Sequence, residues 1–115
     1  MKHLAALIRE GLRSGVKEDP LIWGAGQIGD HIEANIIGLA LIGKVGLQVA
    51  CQLFELALSE TLNGDQNCPA VKKVLDELSI DEGTSEQLVV AHASGESAEH
   101  VAQMIESGEL TIKEY

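Results

Sequence analysis

The sequence predicts an all-α fold: a compact single domain of five or six helices around a hydrophobic central pair, Ile32 to Ile42 and Leu47 to Leu58. Three observations carry that prediction. Apolar residues recur at helical spacing over most of the chain. Helix start and stop residues punctuate the carboxyl half. The 45% apolar content includes only three aromatic residues, Trp23, Phe54 and Tyr115, so the core must be built from Leu, Ile, Val and Ala, which suit close helix packing.

Leu4, Leu7, Ile8 and Leu12 place a first amphipathic helix over His3 to Arg13, stopped by Gly15. Gly15 to Asp30 is expected to be a turn-rich connector, with Gly24 to Gly29 as a loop leading into the Ile32 helix, because Pro20, three glycines and Asp30 favour irregular backbone. Ile32 to Ile42 is apolar on every side, as a buried helix should be. Leu47 to Leu62 sets Gln48, Gln52, Glu55 and Ser59 on one stripe and apolar residues elsewhere, so it is a second, mostly buried helix. Gly38, Gly43 and Gly46 let backbones approach or let the chain turn between the two. The expected core includes Ile36, Ile37, Leu41, Val49, Leu53 and Phe54.

Asn63-Gly64-Asp65 ends that pair, and Pro69 opens a helix whose Val71, Val74, Leu75 and Leu78 form one apolar face. Thr84-Ser85-Glu86-Gln87 has the pattern of a capping box for the next helix, which Gly95 ends. Ser97 caps a last helix with Val101, Met104 and Ile105 on its buried face, and Gly108 closes it. Residues 1–2 and 109–115 are expected to be flexible ends.

The formal charge of −10 is uneven: residues 1–58 hold five Lys/Arg against six Asp/Glu, and residues 59–115 hold three against twelve. That field repels nucleic-acid phosphates and anionic membranes and favours a basic protein partner. Ile36 to Leu58 is long enough to span a bilayer, but Lys44 would lie near its middle with Gln48, Gln52 and Glu55 beyond, so no membrane partner is expected. Arg9 and Glu10 interrupt the amino-terminal apolar pattern, so no secretory leader is expected; Cys51 and Cys68, with no C-x-x-C and no His at metal-ligand spacing, read as free thiols, with a single disulfide as the alternative, and a cytoplasmic location is expected.

Gly24, Gly26 and Gly29 stand at the G-x-G-x-x-G spacing of dinucleotide-binding turns, the basis of a nucleotide-binding enzyme as an alternative function. Such a site needs a buried strand before it and an acidic residue about 20 positions on, and no Asp or Glu occurs between Ala34 and Phe54. A second alternative is a helix-turn-helix protein, from the spacing of Ala91, Gly95 and Val101. Its second helix offers Glu99, His100, Gln103 and Glu106 where a DNA reader needs Arg or Lys. His92 and His100 could approach across the Gly95 turn and, with Glu96 or Glu99, hold a metal weakly, although surface histidines are the simpler reading. The serines lack a nucleophile context, and no metal, cofactor or catalytic set is expected.

Leu4-Ala5-Ala6-Leu7-Ile8-Arg9-Glu10-Gly11, Asn35 to Gly43 and Val89 to Ile105 together resemble a group of small helical proteins of bacteria and their phages. In that group an Ile-Arg-Glu-Gly run opens the chain, a Cys-Ala-Leu-Gly-Ala-Ala run forms a middle helix and a Trp-Ser-Arg-Glu-Gln-Ile-Ala run closes it. Ile8 to Gly11 fit the first run, Gly38, Ala40 and Gly43 the second, and Ser97, Glu99 and Ala102 the third. Asn35 stands where the group has Cys, Ala91 and His92 where it has Asn-Asp, and Glu96 where it has Trp. The resemblance implies the helical fold and no particular activity.

The function expected is a non-enzymatic interaction or regulatory module, with Asn35, His92, Glu96, Glu99, His100 and Gln103 as candidate interaction residues. A homodimer is also expected, joined through Leu4, Leu7, Ile8 or the 47–58 helix, with the acidic helices facing water.

Overall fold

The computed structural model describes residues 2–64 and 67–110, and it has six helices and a small sheet that the sequence pattern did not predict. In chain order the elements are α1 (Lys2–Arg13), β1 (Lys17–Glu18), β2 (Ala25–Ile28), β3 (His31–Ala34), α2 (Ile36–Val45), α3 (Leu47–Leu62), α4 (Pro69–Leu78), α5 (Glu82–Ala93) and α6 (Ala98–Ser107). The fold is therefore mostly helical rather than all-α. No helix among the described residues is long and apolar enough to cross a membrane.

Helix α2 is the centre. Ile36 through Ile42 are all buried, and Ile36, Ile37, Leu39 and Leu41 have no exposed surface. Each such side chain contributes about 1.5–3 kcal/mol of transfer free energy. The helix starts at Ile36 rather than Ile32 because Asn35 caps it, its Oδ1 accepting the Gly38 N–H at 2.9 Å. Helix α1 crosses α2 at backbone contact: a Cβ on Gly11 would lie 2.0 Å from the Leu39 carbonyl oxygen, and one on Gly43 2.0 Å from that of Leu7. Leu7 and Gly11 thus face Gly43 and Leu39 in antiparallel order, and only glycine permits that approach. Gly46, at φ +92°, instead turns the chain from α2 into α3.

The segment expected to be a loop forms most of the sheet, whose strand order is β1-β3-β2. Strands β2 and β3 make an antiparallel hairpin in which Ala25 faces Ala34 and Ile28 faces His31. Gly29, at φ +64°, takes the first of its two turn positions, and Gly29-Asp30 is a hairpin signal in its own right. Strand β1 adds in parallel, with Lys17 opposite Glu33 and Glu18 opposite Ala34. The Gly24-Gly26-Gly29 spacing therefore lies on a hairpin that leads into a strand, not on a strand that leads into a helix. Gly24 is needed for a local reason: its φ is +87°, and a Cβ there would strike the Phe54 ring at 2.3 Å.

Four further expectations change. Helix α3 buries Ala50, Leu53, Phe54 and Ala57 but leaves Val49, Leu56, Leu58 and Leu62 between 47% and 77% exposed, so it is a flank and Val49 is outside the core. Helix α5 begins one turn before the expected capping box: Asp81 is its N-cap, accepting the Thr84 N–H at 2.7 Å, and Thr84 is buried. Leu4 and Ile8 are buried in the core beneath α2, which removes them as dimer anchors. Leu110 packs on the core and its N–H donates to the Met104 carbonyl, so the chain is held at least to that point. Met1 and residues 111–115, expected to be flexible, lie outside the described residues.

Candidate functional site

Helices α3, α4 and α5 leave a groove between them of about 530 Å³. Phe54, Ala57, Leu58 and Thr61 form the α3 wall, Val71 and Leu75 come from α4, and Glu82, Ser85, Glu86 and Val89 line the α5 side. Trp23 completes the lining from the connector before β2. The groove exists because α3 has more apolar surface than its neighbours cover: the Phe54 face turns inward, whereas Leu58, one turn on, is 60% exposed. Trp23 packs edge-on against Phe54, with centroids 5.5 Å apart and planes at 83°, and is itself 41% exposed. Edge-to-face pairing of this kind holds a large ring in place without burying it.

The position of Trp23 is fixed through its neighbour. Gly24 accepts the Asn35 N–H at 2.9 Å through its carbonyl and donates its own N–H to Asn35 Oδ1, also at 2.9 Å. Asn35, wholly buried, thereby ties the Trp23 turn to the start of α2, while its Nδ2 has no hydrogen-bond partner among the described residues. The next residue, Ile36, donates its N–H to His92 Nδ1 at 3.2 Å. A backbone amide can only donate, so the ring hydrogen sits on Nε2, where it points at Glu18 Oε2 2.7 Å away. The same carboxylate oxygen accepts the Ala98 N–H at 3.0 Å, at the start of α6. The cap and first residue of α2 thus anchor the tryptophan turn and, through His92, the helix that forms the opposite wall.

The six sequence-predicted site residues are divided among four places. Asn35 and His92 meet at this buried hub, and His92, expected at the surface, is 1% exposed. His100 is paired with Glu96 one turn earlier, so the two histidines share no ligand site. Glu99, with Glu106, holds Arg9 of α1 in a charge-assisted clamp, with Nε to Glu99 at 3.0 Å and Nη1 to Glu106 at 2.6 Å. Gln103 faces solvent. No group of three or more histidine, cysteine or acidic side chains among the described residues is placed to hold a metal ion.

The His92–Glu18 pair has the chemistry of a carboxylate-oriented imidazole, but both ring nitrogens are engaged and neither reaches solvent. It positions elements. On the sheet, His31 lies between Glu33, at 2.5 Å, and Asp30, at 3.2 Å, and these bonds, that to Glu33 foremost, raise its pKa. Asp19 is held below the usual carboxylate range by the Leu21 N–H and then by Glu33. A hollow of about 450 Å³ between the hairpin and α3 contains Cys51, whose thiol burial pushes up, away from reactive thiolate. Helices α5 and α6 follow one another as a hairpin, and α6 turns Val101, Ala102 and Ile105 inward and His100, Gln103 and Ser107 outward.

Set beside known protein families, curated proteins and solved structures, the chain matches none of them.

Proposed function

We propose that this chain is a non-enzymatic interaction module that seats an apolar helical segment of a protein partner in the α3–α4–α5 groove. The observation that carries the reading is the half-exposed Trp23 on Phe54, continued along α3 by the exposed Leu58. Tryptophan is among the commonest anchors of partner binding, and an apolar groove between helices can seat the apolar face of a partner helix. The groove is partly open to solvent rather than enclosed, which suits a segment of chain better than a small molecule.

Trp23 is the only tryptophan, so its emission reports the groove directly. Titration with a synthetic helical peptide bearing a leucine face and neutral glutamine flanks should shift that emission to the blue in a saturable way. Leu58→Asp, on an exposed side chain, should leave the fold intact and abolish the shift. An unchanged Trp23 spectrum with the native chain at saturating peptide would defeat the reading.

A further inference from the structure

We infer that the segment held in the groove is a basic amphipathic helix, with leucine-like residues on the α3 side and lysine or arginine along the edge that faces α5. This rests on the groove reading above and adds the partner's charge and orientation.

Glu82 and Glu86 are four residues apart on α5 and so project from one face of it. Both are exposed, both line the groove, and among the described residues neither has an ion pair. Among the described residues no lysine or arginine lines the groove, and the α3 wall offers Leu58 and Thr61, which carry no charge. The hollow is therefore apolar on one side and anionic on the other. A helix laid in it meets both requirements only when its own face is divided the same way, which fixes its rotation about its axis. The α3 wall from Phe54 to Thr61 is two turns long, about 10 Å, so about two turns of partner helix make the contact. A second copy of this chain is a poor occupant, because each copy carries a net charge of −10.

Three synthetic peptides test this, identical in their leucine face and bearing Lys, Gln or Glu along one edge. Trp23 emission is followed at about 0.01 M salt, where charges interact over about 30 Å, and at about 1 M, where they are screened within about 3 Å. At low salt the Lys peptide should bind about tenfold tighter than the Gln peptide, and the Glu peptide weaker still. High salt, or the double change Glu82→Gln and Glu86→Gln, should bring the three together. The salt comparison is made on the native chain and does not depend on that variant folding. Equal binding of all three at low salt overturns the charge assignment and leaves the groove reading standing. Failure of every peptide at both salts overturns both. A two-chain mass in sedimentation at about micromolar concentration, reduced to one chain by Leu58→Asp, places a second copy in the groove and also overturns the assignment.

Discussion

Glu18 and His92 lie 74 residues apart in the chain and share a 2.7 Å hydrogen bond inside the fold. The remaining ring nitrogen of His92 accepts the Ile36 N–H and the remaining duty of Glu18 is the Ala98 N–H, so one pair of side chains joins β1, α2, α5 and α6.

His92→Ala should therefore remove a buried ring and leave the Ile36 amide and the Glu18 carboxylate without partners. The expected cost is about 2–4 kcal/mol in chemical denaturation. Glu18→Gln keeps an oxygen that can take the place of Oε2 and accept from both donors, losing only the carboxylate's charge, and should cost about 1 kcal/mol. Equal effects of the two changes would show that the pair is not the joint described.

At the α1–α2 crossing, Gly11→Ala should destabilise the fold by about 3 kcal/mol or more, because its methyl group would meet the Leu39 carbonyl and α1 must move away from the helix that it covers. Gly26→Ala is the control: a Cβ there meets nothing within 4 Å. Thermal melts of the two variants should differ widely, and matching melting temperatures would contradict the close crossing.

The pH dependence of stability should include a contribution from His31. Its pKa is raised in the folded chain from an ordinary value of 6.5, chiefly by Glu33 and then by Asp30. A raised basic pKa means that the pairing stabilises fully below pH 6.5 and that this contribution is lost as pH rises through the folded-state value. The melting-temperature difference between the native chain and His31→Gln should shrink from about pH 5 to about pH 9. A difference that grows over that range has the wrong sign for this pair.

Much of the fold was legible in the sequence wherever a helix carried its own punctuation. Pro69 at the start of α4, Ser97 at the cap of α6 and Gly108, at φ +84°, at its end are local devices that act without tertiary help. The sheet escaped because its strands have two to four residues, too few for a period-two pattern to stand out from the apolar run that follows. Two signals were nonetheless present: Gly29-Asp30 between two short runs, and Asn35 as a cap that forbids an earlier start for α2.

The site was less legible, for a different reason. His92 looked like a surface residue because its partners, Glu18 and Ile36, are distant in the chain and nothing local marks the meeting. The groove depends on how much of α3 its neighbours leave uncovered, a property of packing that no spacing of Leu58 and Phe54 reveals. Trp23, as the only tryptophan and a half-exposed one, was its one visible trace.

Whether the α3–α4–α5 groove seats a partner helix can be read residue by residue from backbone amide shifts in the isotope-labelled chain as the leucine-faced, glutamine-flanked peptide is added. Saturable shifts are expected on Trp23, on Phe54 to Thr61, on Val71 and Leu75, and on Glu82 to Val89, with the outward face of α6 around Gln103 unmoved. Shifts concentrated on α6, or none at saturating peptide, would contradict the groove reading.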